Sequence, residues 1–185
     1  EYFDSKNKCG MLARLSQATY YESIALQRKN AIQISIGLLE QAESKFNFQS
    51  FSFLNDAMAE IMPYMDVPIE VEYPLGSKEF INLPRYLKVL TNKYLNRLEI
   101  IPKDKNIEIK KGFTKNIELI ARVVDKQSEN FMNGIPVSCE MHDKLFKDIS
   151  DESGECFFPL SMMMDNNSIY HVNYSIDKNK LLKRL

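Results

Sequence analysis

The sequence predicts an α+β protein whose helices come first and whose antiparallel strands come last. Apolar residues recur at helical spacing in the first third of the chain, and strand-like alternation is mixed with a helical stripe in the middle. Short alternating runs separated by turn residues fill the last part. These patterns divide the chain into a helical bundle over 1–65, a small α+β unit over 66–104 and an antiparallel β-sandwich with a basic tail over 105–185.

The first segment is typical of a small helical bundle. Between about Lys8 and Phe46 there is no proline, and we expect one helix, with Leu12 and Leu15 inside it or in a separate earlier helix. Its apolar stripe comprises Tyr21, Ile24, Ala25, Ile32, Ile36, Leu39, Ala42 and Phe46. Gly37 lies within the stripe and costs about 1 kcal/mol relative to alanine. Close packing of a second helix, or a kink, is therefore expected at Gly37.

A second amphipathic helix follows a short connection. Asn47–Ser52 carries turn and capping residues, and apolar residues then recur at helical spacing from Phe53 until Pro63 ends the pattern. The connection is surrounded by four phenylalanines, namely Phe46, Phe48, Phe51 and Phe53. If exposed, these rings would form a binding patch, and if buried they would cap the bundle.

The middle segment is predicted to be a hairpin followed by a helix and a strand. Val67–Tyr73 alternates apolar and polar residues, and 79–81 is a short partner strand across a glycine turn. Asn82 stands ahead of Pro84 as a helix start signal, and the helical stripe that follows is Tyr86, Leu87, Leu90, Tyr94 and Leu98. Leu98–Ile101 is expected to return as a strand.

The last segment carries short strands joined by polar turns. The predicted strands are 107–110, 117–123, 135–141, 155–162 and 169–176. In the final strand Val172, Tyr174 and Ile176 have one parity and His171 the other, so the first three are expected to face inward. The basic tail 178–185 is expected to form a terminal helical turn or to fray.

Composition excludes several classes of protein. Among 185 residues, 24 Lys and Arg balance 25 Asp and Glu to give a net charge of -1, so a nucleic-acid partner is not expected. No apolar stretch approaches the ~20 residues that span a bilayer. The chain begins at Glu1 without an initiator methionine, which is typical of a mature form or a trimmed chain.

The cysteines leave two interpretations open. Cys9, Cys139 and Cys156 have no C-x-x-C spacing, so neither a metal site nor a redox motif is expected. Cys139 and Cys156 lie in two strand-like segments, each with the parity of the inward residues. A disulfide between them and two unbonded buried thiols both fit this pattern, the disulfide requiring an oxidising compartment.

Residues suited to catalysis or metal binding are sparse. The histidines are His142 and His171, and no nucleophile or nucleotide-binding motif accompanies them, so no catalytic residue, cofactor or enzymatic activity is predicted. An acidic loop could collect oxygen ligands for calcium from Asp143, Asp148, Asp151, Glu152 and Glu155. The spacing fits no EF-hand, and a solvated hairpin loop explains the same charges without an ion.

One resemblance concerns the C-terminal segment. A Gly-x-Pro-Val strand at Gly134–Cys139 precedes the acidic glycine turn Ser150–Glu155 and the apolar strand Cys156–Leu160. Over roughly 107–177 this order resembles bacterial Ig-like domains, which are extracellular or periplasmic spacers and recognition modules. The resemblance implies an Ig-like sandwich in that setting, although the usual pattern does not require the two cysteines.

A second resemblance concerns the helical segment. Tyr20–Ala25, Asn30–Ala31 and Ile61–Tyr64 are similar to the helical region of envelope lipoproteins related to the twenty-kilodalton lipoprotein of epsilonproteobacteria. Together with the Ig-like part, the chain resembles the secreted three-domain proteins encoded in that lipoprotein's operon. This implies a secreted, periplasmic or outer-envelope protein that is not an enzyme and binds a host or envelope protein. The alternative is a periplasmic scaffold or assembly factor with the Ig-like domain as a spacer.

Overall fold

The structure, a computed structural model, describes residues 2–5, 8–11, 16–64, 69–72, 78–104, 117–141, 144–160 and 171–182. The helices are α1 (Gln17–Ser44), α2 (Phe48–Ile61), α3 (Leu83–Arg97) and α4 (Lys178–Leu181), with a 3₁₀ turn at Met62–Tyr64. The strands are β1 (Tyr2–Ser5), β2 (Lys8–Met11), β3 (Ile69–Glu72), β4 (Lys78–Ile81), β5 (Leu98–Pro102), β6 (Ile117–Asp125), β7 (Pro136–Met141), β8 (Lys144–Ile149), β9 (Glu155–Leu160) and β10 (Val172–Ile176). The α+β class predicted from the sequence is confirmed.

The helices α1 and α2 form an antiparallel hairpin. Ser16 begins α1 by accepting a hydrogen bond from the Thr19 N–H, and Asn47 begins α2 with a capping box that it shares with Ser50. The Ser35 hydroxyl donates to the Ala57 carbonyl oxygen at 3.0 Å and fixes the level at which the two helices meet. Because α2 ends only four residues beyond Ala57, it leaves α1 uncovered from about residue 31 toward its N-terminus.

The helix α3 connects this hairpin to the sheets. Asn82 accepts from the Arg85 N–H and caps α3, as the sequence predicts. The Tyr94 hydroxyl donates to the Ala42 carbonyl oxygen at 3.1 Å and joins α3 to α1. The chain then passes directly into β5, the strand predicted at that position.

All strand pairs among the described residues are antiparallel. The larger sheets have the orders β5-β6-β9 and β10-β7-β8, and β1-β2 and β3-β4 are two-stranded hairpins. Cys156 of β9 lies opposite Ala121 of β6, whereas Cys139 of β7 lies opposite Tyr174 of β10 and Phe146 of β8. The rings of Phe158 and Tyr174 are 5.8 Å apart and connect the two larger sheets.

One buried apolar cluster runs through the helices and both larger sheets. Its members include Leu54 and Ile61 from α2, Leu87 from α3, Val123 from β6 and Val137 from β7. The C-terminal turn joins it too, because Leu181 is buried and its carbonyl oxygen accepts from the Asn55 side chain at 3.0 Å. The cluster therefore crosses both predicted domain boundaries, and the division into three domains stays a prediction.

Several sequence predictions differ from the structure in detail. Lys8–Met11 is a strand paired with Tyr2–Ser5 rather than the start of the first helix. The second helix begins at Phe48, so the connection is shorter than Asn47–Ser52. Lys144–Ile149 is a strand that the sequence did not predict. The predictions for 12–15 and 107–110, and for the strand ends 161–162 and 169–170, lie outside the described residues.

The close-packing explanation for Gly37 is wrong. A Cβ atom added at Gly37 would lie within 4 Å of no atom beyond the neighbouring backbone of its own helix. No second helix therefore approaches closely enough to require glycine. Close approach occurs instead at Gly154, whose φ is +74° and where an added Cβ would lie 2.8 Å from the Val123 carbonyl oxygen. That glycine is required by the turn before β9, because other residues rarely adopt this conformation.

Candidate functional site

The N-terminal half of α1 is the most exposed regular element among the described residues. Residues 17–30, which we call the exposed half of α1, are all described and include none that is buried. The buried positions of α1 begin at Ala31 and continue through Ser35, Leu39 and Ala42. At 1.5 Å per residue, about 21 Å of helix therefore extends past the end of α2.

Large side chains on this half are open to solvent. Tyr21 is 59% exposed, Leu26 is 60% exposed, and Tyr20 and Ile24 are also exposed. The rings of Tyr20 and Tyr21 contact each other edge to face with centroids 5.8 Å apart. These residues point in several directions around the helix, and a helix that is apolar on several sides normally has neighbours on them.

The apolar spacing places Tyr21 and Ile24 on one stripe and leaves Tyr20 and Leu26 outside it. The spacing was correct, but α2 is too short to cover that part of the stripe. The signal that could have revealed the surface is that Tyr20 and Leu26 lie off the stripe while still being apolar. In a helix with a single buried face, apolar side chains at these two positions would be exposed to water.

The most highly connected polar cluster surrounds Asp125, at the end of β6. Its carboxylate is 2% exposed and accepts from Arg97 Nε at 3.0 Å and Arg97 Nη2 at 2.5 Å. The Ser128 hydroxyl and the Gln127 N–H also donate to it, at 2.6 and 3.2 Å. The Arg97 guanidinium stacks on the Phe46 ring, 3.9 Å from its centroid.

These contacts hold the pKa of Asp125 well below its ordinary value of 3.8, mainly through the hydrogen bonds from Arg97 and further through those from Ser128 and Gln127. Burial acts in the opposite direction but is outweighed. Since both oxygens of the carboxylate are already engaged, this cluster joins α3 to β6. It is not arranged to transfer a proton or to hold a ligand.

An open depression of about 570 Å³ lies beside this cluster. Its lining includes Asn92, Lys93 and Asn96 from α3 and Lys126 from the turn after β6. Lys126 Nζ donates to the Asn96 carbonyl oxygen at 3.2 Å, across the end of α3. No nucleophile and base come together among the described lining residues, so the depression offers no catalytic arrangement.

Three of the acidic residues predicted in one loop, Asp148, Asp151 and Glu155, bind partners within the fold. Asp148 lies in β8 and accepts from the Phe157 N–H at 2.7 Å. Asp151 accepts from its own turn, from the Ser153 N–H, the Ser153 hydroxyl and the Glu155 N–H. Glu155 binds Arg122 at 2.6 Å. Asp143 lies outside the described residues.

These carboxylates are therefore used within the fold. Hydrogen bonds, first of all from the Ser153 hydroxyl, lower the pKa of Asp151. Within the described residues, no group of three or more His, Cys, Asp and Glu side chains is placed to hold a metal ion. The calcium alternative thus has no support from the part of this loop that the structure describes.

The two cysteines predicted to face inward are both buried. They are free thiols in the structure, and they lie in different sheets, Cys139 in β7 and Cys156 in β9. Burial raises the pKa of Cys139 to about 11 and that of Cys156 to about 12. Thiols of this kind form little thiolate near neutral pH. The disulfide between them stays a prediction.

The histidines and phenylalanines singled out in the sequence differ in their exposure to solvent. His171 is exposed directly before β10, and His142 lies outside the described residues. Phe51 is fully buried and contacts Phe46 at 6.0 Å between centroids, so these two rings cap the helical hairpin. Phe48 is exposed and covers Gly134, where an added Cβ would lie 3.0 Å from its ring.

Comparison with protein-family models, with curated proteins and with solved structures found no match to this chain. None of the helices that the structure describes combines the length and the apolar character needed to cross a membrane. Any functional assignment therefore depends on the chain's own residues, and the exposed half of α1 is the feature that the fold itself does not use.

Proposed function

We propose that this chain is a non-enzymatic protein-interaction module and that the exposed half of α1 is its docking element. The observation that carries the proposal is the exposure of Tyr21 and Leu26 on a helical segment without a buried residue. Helices of about 14 residues are marginal alone in water, and packing supplies most helical stability in proteins. Clustered apolar residues on a surface commonly mark interaction sites.

The proposed setting is secretion or association with a bacterial envelope, with a host-cell or envelope protein as partner. It rests on the resemblances of the C-terminal segment to bacterial Ig-like domains and of the helical segment to envelope lipoproteins. Two antiparallel three-stranded sheets that share buried residues support an Ig-like sandwich in the C-terminal part, with one strand, β5, contributed from before residue 105. The segments 1–65 and 66–104 complete the proposed three-domain organisation.

The alternative proposal is a periplasmic scaffold or assembly factor in which the Ig-like domain is a spacer. It is favoured by the continuous buried cluster, which suits a rigid connecting body. Fractionation of a producing strain separates the two proposals. Recovery from culture supernatant favours the secreted interaction protein, and strict retention with the envelope favours the scaffold.

The docking role is tested by capture experiments with the full chain. Immobilised protein is incubated with envelope fractions and with host-surface extracts, and bound proteins are compared with those captured by a Leu26→Lys variant. The matched control is Val89→Lys on α3, because Val89 is 59% exposed and Leu26 is 60% exposed. We expect Leu26→Lys to reduce capture by about tenfold, the effect typical of losing one important apolar contact.

Val89→Lys should capture as much partner as the unchanged chain. Equal capture by both variants would contradict the docking role of α1. Repeated failure of the unchanged chain to retain any protein from either source would contradict a host-cell or envelope protein as its partner.

A further inference from the structure

We propose that the exposed half of α1 pairs with the same segment of a second copy of this chain, antiparallel and centred on Ala25. This inference rests on the docking role proposed for that surface, and it assigns the surface a second copy of this chain in place of a foreign protein. It is argued from the placement of three charges and one aromatic ring around Ala25, all on residues that the structure describes as helix.

The charges before and after Ala25 are opposite in sign. Glu22 lies three residues before Ala25, and Arg28 and Lys29 lie three and four residues after it. In an antiparallel pair centred on Ala25, Glu22 of each copy lies at the same height along the pair as Arg28 and Lys29 of the other. A parallel pair would place like charges opposite each other, which disfavours that arrangement.

The sides of the helix agree with this pairing. At roughly 100° per residue, Glu22 and Lys29 lie on one side of Ala25, whereas Tyr21 and Arg28 lie on the other. The two-fold axis of an antiparallel pair brings matching sides together. Glu22 therefore meets Lys29 of the second copy in an ion pair, and Tyr21 meets Arg28 in a cation–π contact.

The seam between the two helices is narrow and apolar. Ala18 and Ala25 are seven residues apart and share one side of the helix, and their small side chains permit close approach of the backbones. Ile24 and Leu26 flank Ala25, so each would be covered along one edge of the pair. The pairing thus covers part of the apolar surface of Ile24 and Leu26 that is exposed in the single chain.

The charged residues are available for such pairing. Within the described part of the chain, Glu22, Arg28 and Lys29 take part in no ion pair. Arg28 Nε is buried and meets no hydrogen-bond acceptor in the structure. A second copy supplies Glu22 to Lys29, Lys29 to Glu22 and the Tyr21 ring to Arg28.

Charge exchange tests the pairing. Sedimentation equilibrium of the full chain over a wide concentration range should show a monomer–dimer equilibrium, weakened by about tenfold in Glu22→Lys and in Lys29→Glu, because both symmetric pairs become repulsive. The double variant should recover the dissociation constant of the unchanged chain to within about threefold. Glu40→Lys, a charge reversal at an exposed position outside the seam on the same helix, is the control and should dimerise normally.

Cysteine cross-linking tests the orientation. In a Cys9→Ser background, Ala25→Cys should form a disulfide-linked dimer on mild oxidation, since the two copies of residue 25 meet at the two-fold axis. Ala18→Cys should not, because the two copies of residue 18 would be about 21 Å apart, beyond the reach of a disulfide. Equal cross-linking of both variants would indicate a parallel pair and overturn the proposal.

A chain that stays monomeric at every concentration would also overturn the inference, as would charge variants that dimerise like the unchanged chain. These outcomes are separate from failure of the proposed function. If the chain is monomeric and Leu26→Lys still loses capture of a foreign protein, the docking role stands and only the identity of the partner is wrong.

Discussion

Asp125 illustrates how a single residue joins the helical part of the molecule to the sheets. Its buried carboxylate compensates the Arg97 guanidinium at the end of α3. Asp125→Asn would leave that cation without its counter-charge, so we expect the free energy of unfolding to fall by about 2 to 4 kcal/mol. Urea unfolding measures the change. The control is Glu155→Gln, which removes the more exposed ion pair with Arg122 and should cost less than about 1 kcal/mol.

The same residue should contribute to acid unfolding. The unfolded chain binds a proton at Asp125 near the ordinary pKa of 3.8, whereas the folded chain does so only at lower pH. The stability that Asp125 contributes is therefore complete above that pKa and is lost as the pH falls below it. The dependence of the unfolding free energy on pH in the acid range should be weaker in Asp125→Asn. An unchanged pH profile would contradict this role.

The buried thiols should be chemically protected and sensitive to alkali. Iodoacetamide at pH 8 should label Cys139 and Cys156 slowly in the folded chain and rapidly in urea, as read by intact mass. An unfolded thiol ionises near its ordinary pKa of 9.0, but burial raises the folded values to about 11 and 12. The unfolded state therefore releases protons first, and stability should fall as the pH rises from about 9 toward 11.

Tyr174 should add to this loss at higher pH, because burial raises its pKa from 10.0 to about 12. A serine replacement of Cys139 should reduce the alkaline slope. Failure of both cysteines to react even in urea without reductant would instead reveal the predicted disulfide.

At the scale of secondary-structure elements, α1 contains a position where a substitution should increase the stability of the fold. Gly37 lies in mid-helix, and a Cβ there meets nothing within 4 Å. Gly37→Ala should therefore stabilise the folded chain by about 1 kcal/mol, since alanine restricts the unfolded backbone and favours helix. Thermal unfolding followed by circular dichroism gives the shift. The reverse case is Gly154→Ala, which should destabilise because its φ is positive and the Val123 carbonyl is close.

The elements differ in how much of them could be predicted from the sequence. The cap at Asn82 and the strand Leu98–Pro102 follow from local signals that the structure confirms. Asn47 begins a helix that the apolar spacing places only from Phe53. The strand β8 has no such signal, because Leu145 and Ile149 are exposed and it is fixed by pairing with β7. Pairing likewise makes Lys8–Met11 a strand in a stretch that lacks proline.

The exposed half of α1 was predicted only in part, because its exposure depends on the length of the neighbouring helix α2. The helical spacing that places Tyr21 and Ile24 on a stripe says nothing about the length of the neighbouring helix. That length is set by Pro63, and its effect on α1 depends on the level fixed by Ser35 and Ala57. The relative position of the two helices along their axes is a tertiary property, and apolar periodicity does not reveal it.

At the scale of the whole molecule, the continuous buried cluster predicts cooperative unfolding. Since its members come from all three predicted domains, differential scanning calorimetry should show one transition whose calorimetric and van't Hoff enthalpies agree. Independent domains would instead give separate transitions or an enthalpy ratio well above one. A fragment comprising 105–185 alone should be less stable than the same segment in the full chain, because it loses β5, the strand paired with β6, and the apolar residues of α2 and α3.

The hydrogen bond from the Phe157 N–H to Asp148 has a consequence for association. Among the described strands, β9 is the outer member of its sheet, and outer strands offer unpaired N–H groups to which foreign strands can add. At Phe157 that donor is already taken by a negatively charged side chain from the other sheet. An added strand would have to displace this carboxylate, so edge-to-edge growth into aggregates is discouraged at that point.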